Sequence, residues 1–473
     1  MSSGRSARKG SIASALTSGF LCREDDWLFA GVERCLDNGR GIVFVTDDQG
    51  VLKGFATMEA MRKALAKGAH LSGARMADVA TPWMGDAGSA VVMPVLDESR
   101  RVVGVEIRSG HGFLPVAEPD LTHREFRNLL DAFLSTWISS AGDYLASFER
   151  RFAEALGMPH GVATSNGTVS LHLALTALGV GAGDEVIVPD FTFAATANAV
   201  IHAGARPVLA DIDASSWCLT PEAIEKAISP RTRAVIPVHV FGRPAPMTEI
   251  ALLAKSRGLF VIEDCAEAHG ARCDGRPVGS FSDIASFSFF ANKILTTGEG
   301  GICVTNDSAL AARLRMLRDH GMKPERRYWH EEVGYNYRMT NMQAAVGCAQ
   351  LDRMGELLAM RRSVDDAYRA AFAGVREVEF PPPMPERFEP VVWFSCLLVP
   401  PAKRAAIIEA CRRSGIDLRT FFNSLSAMPA YRPFASPCPA SNRVAAAGVN
   451  LPTSRKVTPE VAQWVAKVIR DAL

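Results

Sequence analysis

The stretch Ser286-Phe-Ser-Phe-Phe-Ala-Asn-Lys293-Ile-Leu-Thr-Thr-Gly-Glu-Gly-Gly301 sets one lysine between a short apolar strand and a glycine-rich turn. Phe287, Phe289 and Phe290 before it, with Gly298, Gly300 and Gly301 after it, argue against an exposed helix. An amine held off the surface in this way can bind an aldehyde cofactor covalently and carry protons once it is released. Upstream, Phe260-Val-Ile-Glu-Asp264 is an apolar strand closed by an acid, at the carboxyl edge where open α/β sheets place their ligands. Further upstream, Ser165-Asn-Gly167-Thr168 is a glycine turn opening a helix, whose free N–H groups and positive dipole end suit a phosphate. Ser288 offers a hydroxyl to the same anion. Anion site, acid and lysine in this order match pyridoxal 5′-phosphate enzymes, in which a carboxylate keeps the pyridine nitrogen protonated so that the ring accepts electrons. Each signal alone has a plainer reading: a turn that changes direction, a helix N-cap, a buried serine bonded to backbone. Their joint order makes Lys293 and Asp264 the catalytic candidates, with Gly167, Thr168 and Ser288 around the phosphate.

The elements that must position these residues alternate between helix and strand. A helix from Thr168 to Leu178 stops at Gly179, and apolar strands are expected at Glu185–Val188, Pro207–Ile212, Ala234–Val238, Phe260–Glu263, Ile284–Phe289 and Gly301–Thr305. Thr220 with Pro221, and Gly258, punctuate the helices between them. Such alternation specifies a mostly parallel sheet covered on both faces, an α/β fold. Beyond Asn341 a long helical run to about Gly374 leads to a strand at Val391–Val399, a helix at Ala402–Arg413 and a capped terminal helix at Thr458-Pro459, which together read as a smaller α/β domain. Near the N-terminus, Val45-Thr-Asp-Asp-Gln-Gly-Val-Leu-Lys-Gly54 is echoed by Val95-Leu-Asp-Glu-Ser-Arg-Arg-Val-Val-Gly104, each a hairpin, with a helix at Met58–Lys67 between them. The expected organisation is a disordered tail over 1–19, an α+β module over 20–112, a linker over 113–126, a large cofactor domain over 127–374 and a small C-terminal domain over 375–473.

At 473 residues, 48% hydrophobic and 22% charged, the chain can bury a large core. Its 52 basic and 51 acidic residues leave no field to gather nucleic acid or an anionic membrane. The ten cysteines form no CxxC pair or Cys/His cluster, so neither a metal site nor a disulfide framework is expected. With no signal peptide and no membrane-length apolar run, the expected location is the cytoplasm.

From about Trp137 onward the chain resembles the DegT/DnrJ/EryC1/StrS group of sugar aminotransferases. The matching runs are Trp137-Ile-Ser-Ser140, Phe148-Glu149, Ser165-Asn-Gly-Thr168, Gly183-Asp-Glu-Val-Ile-Val-Pro189, Thr192-Phe193, Val238-His-Val-Phe-Gly242, Glu263-Asp264, the Lys293 segment and Gly334-Tyr-Asn-Tyr-Arg338. The resemblance implies a type I aminotransferase fold with a seven-stranded sheet, glutamate as amino donor, and a homodimer with shared sites. It also implies Gly167, Thr168 and Ser288 on the phosphate, Phe193 stacked on the ring, Asp264 on its nitrogen, Lys293 as the covalent attachment, and Asn336 reaching the phosphate of the neighbouring subunit. Glu267 stands where many relatives carry glutamine near the cofactor's phenolic oxygen, and Ser426 where many carry histidine. The stretches around Lys293 and Arg419–Pro429 look most like the perosamine-synthase branch, which implies a GDP-linked 4-keto-6-deoxyhexose as acceptor and a place in deoxyaminosugar or polysaccharide biosynthesis. A dehydratase on the same fold, with histidine in place of the lysine, and a non-catalytic nucleotide-sensing regulator are the rival readings. His239 reads as a structural histidine, and Arg338 as either an anion ligand or an interfacial ion pair. The N-terminal module resembles a CBS-domain pair, which implies an adenine nucleotide. Its Thr57-Met-Glu-Ala60 lacks the family's aspartate, so a docking or dimerisation appendage is the preferred reading.

Overall fold

The computed structural model describes residues 18–83, 92–107, 113–323 and 325–473, so the expected tail lies almost wholly outside the described residues. The chain divides into two compact units, one of residues 1–112 with 121–126 and one of residues 113–120 with 127–473.

In the first unit, β1 (Leu21–Arg23), β2 (Ile42–Thr46), β3 (Leu52–Thr57) and β4 (Thr81–Pro82) form one sheet, and β5 (Val92–Leu96) pairs antiparallel with β6 (Val102–Ile107). The sequence echo has a structural counterpart. Asp47 Oδ1 accepts from the N–H groups of Gln49 and Val51, and Asp97 Oδ1 accepts from those of Ser99 and Arg101. The two Asx-type turns meet, Leu52 N–H donating to the Arg100 carbonyl and Val102 N–H to that of Gly50.

In the second unit a seven-stranded sheet runs in the order β7 (His160–Thr164), β15 (Gly301–Thr305), β14 (Ile284–Ser288), β11 (Phe260–Asp264), β10 (Thr232–Val235), β8 (Glu185–Pro189), β9 (Arg206–Ala210). All strands are parallel except β15, which is antiparallel to both neighbours. Alternate residues serve opposite faces, as strands buried on both sides require. Val162, Ile284 and Cys303 pack with the Gly167–Ala177 and Ser308–Arg318 helices, whereas Ala163, Ala285 and Ile302 pack with the Asp143–Ala155 and Asn341–Asp352 helices. The long helical run breaks at Arg353, which ends one helix and precedes the next, Met354–Ala371. Arg353 lies buried, its guanidinium bonded to Asp120 and Glu356. The C-terminal part is an antiparallel sheet of β17 (Ser395–Leu398), β19 (Gly448–Leu451) and β18 (Arg419–Thr420), packed against the Met354–Ala371, Pro401–Arg413 and Pro459–Arg470 helices. No helix among the described residues is long and apolar enough to cross a membrane. All ten cysteines are buried and unpaired.

The antiparallel strand is what brings the lysine to the ligand edge. Because β15 starts where β14 ends, the turn between them closes at the carboxyl edge of the parallel strands. There Gly301 lies against the N-terminus of the Gly167–Ala177 helix. A Cβ on Gly301 would meet the Asn166 carbonyl carbon and oxygen at 2.5 Å and Ser170 Oγ at 2.6 Å. Gly301→Ala must therefore shift backbone rather than a flexible side chain. It is expected to destabilise the protein by about 1–3 kcal/mol, read as a lowered thermal midpoint; an unchanged midpoint would show that the strand and helix separate freely.

Candidate active site

Strands β7, β11 and β14 end on one cavity of about 960 Å³. Its wall includes Gly167, Thr168, Phe193, Asp264, Glu267, Ser288 and Lys293, so seven of the eight residues singled out in the sequence converge. Asn336 does not. It lies outside this wall, where its side-chain oxygen accepts from Arg338 Nε at 3.0 Å.

At the helix end, the Asn166 side chain caps by accepting from Val169 N–H at 3.0 Å, which leaves the N–H groups of Gly167 and Thr168 without intrahelical partners. Gly167 is required there, since a Cβ would come within 2.7 Å of Ser288 Cβ and fill the cradle. Backbone donors at a positive helix end and the Ser288 hydroxyl make a donor set that fits a phosphate.

Asp264, at the end of β11, is almost fully buried. Burial pushes its carboxyl above the usual range; the Thr196 hydroxyl, donating to Oδ2 at 2.9 Å, the Ala266 N–H, donating to Oδ1 at 3.2 Å, and the charge of Lys293 act against that rise. A cationic ring N–H placed at this oxygen would stabilise the ionised form further. Lys293 is half-buried, its Nζ 3.7 Å from the centroid of the Trp393 ring. Burial pulls this amine down from the ordinary lysine value, with Glu267 and Asp264 acting against the fall. The exposed face of Phe193 in the cavity is an apolar platform for a flat ring. Phosphate cradle, carboxylate, amine and platform together fit a phosphorylated pyridine aldehyde.

Glu267 is buried, and its Oε2 accepts from Phe241 N–H at 2.7 Å. Burial raises its carboxyl to about 7, chiefly by desolvation, with Lys293 opposing and Asp264 reinforcing. The repulsion expected between two neighbouring acids is thus met by a shift towards the neutral acid. Phe241 itself has φ of 52°, a left-handed backbone uncommon for a bulky residue. Its ring stacks on Phe422 at 5.2 Å and on Trp393 at 5.7 Å.

His239 is structural. Its Nδ1 accepts from Ala245 N–H at 3.0 Å and its Nε2 lies 3.2 Å from Glu263. Glu263 also accepts from the N–H groups of Gly279 and Phe281 and the Ser282 hydroxyl, so in the buried cluster of His239, Glu263 and Cys265 both carboxylate oxygens and both ring nitrogens already have partners. Arg338 makes an ion pair with Asp319 at 2.8 Å within this chain. Ser426 donates to buried Asp190 at 3.0 Å and lies outside the cavity wall, so it braces the connection after β8. Sequence reasoning missed Thr196, Trp393, Phe422, Arg419 and Asn450, all of which line the cavity. Thr196, one helical turn after Thr192 in a matching run, and Arg419 and Phe422, within the Arg419–Pro429 stretch, carried a local signal; Trp393 and Asn450 carried none.

The Glu267 shift fixes a pH dependence. Between about 4.5 and 7 the unfolded chain releases this proton while the folded chain keeps it, so the residue's contribution to stability falls as pH rises through that window. In the cofactor-free protein, Glu267→Gln should gain on the wild type from pH 5 to pH 7 by roughly 2 kcal/mol, measured by denaturant titration at each pH. Parallel stability curves would show that Glu267 ionises normally.

Residues 119–470 match the model of the DegT/DnrJ/EryC1/StrS aminotransferase family. Among curated relatives, a protein called GDP-perosamine synthase from Escherichia coli O157:H7 is 39% identical over 359 residues, covering 76% of this chain and 98% of the relative. One of the same name from Caulobacter vibrioides is 43% identical over 352 residues, covering 73% of this chain and 94% of that one. Among solved structures, S. venezuelae DesV in complex with a ketimine intermediate superposes with a TM-score of 0.70 at 35% identity, covering 74% of this chain and 94% of that one. With the fold, the cavity and these likenesses in agreement, the chain belongs to the DegT/DnrJ/EryC1/StrS family of aminotransferases, enzymes that depend on pyridoxal 5′-phosphate.

Proposed function

We propose that this enzyme transfers the amino group of glutamate to the ketone of a nucleotide-linked sugar, with a GDP-linked 4-keto-6-deoxyhexose as acceptor, in the making of a deoxyaminosugar. The observation that carries the reading is the convergence of Lys293, Asp264, Ser288 and the Gly167 helix end on one cavity. The relatives named GDP-perosamine synthase support the choice of sugar and nucleotide. Lysine at 293 disfavours the dehydratase reading, which calls for histidine there.

The N–H groups of Gly167 and Thr168 and the Ser288 hydroxyl would hold the cofactor's phosphate, Phe193 would cover its ring, Asp264 would meet its ring nitrogen, and Lys293 would hold it covalently. Bound there, pyridoxal 5′-phosphate supplies a carbon that can carry nitrogen from donor to acceptor and a ring that accepts the electrons of a developing carbanion. Thr196 and Ala266 fix the two oxygens of Asp264 so that one edge of the carboxylate faces the cavity. Lys293 Nζ takes a proton from the α-carbon of glutamate and delivers one to the sugar carbon that receives nitrogen. Burial favours its neutral, basic form for this task. Arg419, Phe422 and Asn450 form the wall left for the sugar and its nucleotide.

The reading extends to a homodimer. Phe133, Leu134, Trp137 and Ile138 expose large apolar side chains in one short segment, and Val333, near Asn336, is 90% exposed. Such surface favours association, and Asn336 is then available to a neighbouring subunit's site. The N-terminal CBS-like module is read as an appendage: its residues 20–112 lie outside the family match, and the Thr57 hydroxyl is used as a helix cap, accepting from Ala60 N–H at 3.1 Å.

Glutamate-dependent amination should be measured across GDP-, UDP- and dTDP-linked 4-keto-6-deoxyhexoses. The GDP sugar should lead by about tenfold or more in kcat/KM, and Lys293→Ala should lose about a thousandfold in turnover together with the visible cofactor band. Preference for another nucleotide would overturn the acceptor, and amination surviving in Lys293→Ala would overturn the site. Sedimentation should give a dimer, and a chain lacking residues 1–112 should remain dimeric and active; an active monomer, or a folded but inactive truncation, would contradict these assignments.

A further inference from the structure

Arg361, on the Met354–Ala371 helix, is 4% exposed, yet no carboxylate pairs with it among the described residues. The acid whose charge reaches it, Asp120, is bonded to Arg353 and Arg455 instead. A buried guanidinium without an ionic partner is costly unless hydrogen bonds compensate. Here the compensation comes from two peptide carbonyls. Nη2 donates to the carbonyl of Lys293 at 3.1 Å and Nη1 to the carbonyl of Trp393, while Nε has no protein partner. Trp393 in turn donates its indole N–H to the Asn292 carbonyl at 2.8 Å and presents its ring face to Lys293 Nζ. Two consecutive carbonyls of the lysine turn are therefore tied down, one by each residue, and the partners that tie them are tied to each other.

We propose that Arg361 and Trp393 form a clamp that positions Lys293, the guanidinium fixing its backbone and the indole face giving its ammonium form a resting place. The inference rests on the role given to Lys293 above and adds two positioning residues to it. A lysine side chain has four rotatable bonds, so an anchored Cα alone leaves the amine free to wander. An aromatic face within 4 Å attracts the charged amine and leaves the neutral amine indifferent. Arg361 acts in the opposite sense, since its positive charge disfavours a second cation nearby. The remaining groups facing Lys293 are Asp264 at the end of β11 and Glu267 and His269 in the turn after it; burial holds His269 neutral, pulling it down to about 3. The clamp thus balances two opposed influences on one nitrogen, which a purely structural contact would not do.

Competitive labelling of Lys293 with acetic anhydride across pH, read by peptide mass spectrometry in the full-length protein freed of cofactor, measures the amine directly. Trp393→Leu should lower the pH midpoint of labelling by about 0.5 to 1 pH unit, and Trp393→Phe, which keeps a ring face, should stay near the wild type. Arg361→Met should raise the midpoint. Midpoints within about 0.2 pH unit of wild type in folded Trp393→Leu would overturn the clamp, and the two Trp393 variants decide the matter if Arg361→Met does not fold. In the cofactor-loaded wild type Lys293 should be protected from the reagent. Loss of that protection would refute the covalent role of Lys293, whereas unmoved midpoints would refute only the clamp.

Discussion

The removal of one amine and two carboxyls from water, into a cavity that faces them towards one another, is the interaction on which the rest depends. Burial acts against the charged form of each of Lys293, Asp264 and Glu267. The amine and the carboxyls act against that penalty on one another while the two carboxyls repel, and the protein adds fixed dipoles: the Thr196 hydroxyl and Ala266 N–H on Asp264, and the Phe241 N–H on Glu267. The outcome is a lysine poised towards its basic form beside an acid able to face a cationic ring. This is the condition for moving protons at carbon near neutral pH.

The sheet exists to meet that condition. Parallel strands buried on both faces bring their carboxyl ends to one edge, and turns from β7, β11 and β14 deliver a helix end, an acid and a lysine there. This much was legible in the sequence, because it is written in local order: apolar runs of strand length, an acid closing one of them, and glycines where backbones meet. The mostly parallel seven-stranded sheet appears as expected, with β15 as its one antiparallel member. Strand ends shifted by up to four residues, the largest shift being at β17, which starts at Ser395 rather than Val391, and the expected helical run from Asn341 to Gly374 proved to be two helices, since an arginine has no turn signature and Arg353 breaks the run through its bonds to Asp120 and Glu356.

What was not legible lies in contacts between distant segments. Trp393 and Arg361 carry no motif; their relation to Lys293 exists only after the C-terminal sheet packs and the long helix passes behind the lysine turn. Arg338 could be read two ways from the sequence, and neither reading named Asp319, its ion-pair partner in this chain; nothing in the sequence tied Ser426 to Asp190, which accepts its hydroxyl. Periodicity reports which face of an element is buried, and says nothing of which buried polar atom meets which. Glu267 is the instructive intermediate case: its position near the acid was readable, while the direction of its carboxylate, towards the Phe241 backbone, was not.

Ser288 and Lys293 belong to one hairpin, whose ladder continues past β14 through the Phe289 N–H bond to the Gly300 carbonyl. The backbone positions that carry hydroxyl and amine therefore travel as a single ruler, graduated in residues along one covalent segment. Arg419, Phe422 and Asn450 come from a different sheet and its flanks. The scaffold thereby separates what must stay constant from what can vary: the sugar-facing wall can be rewritten residue by residue while the distance between the anion-binding end and the reacting end stays the same.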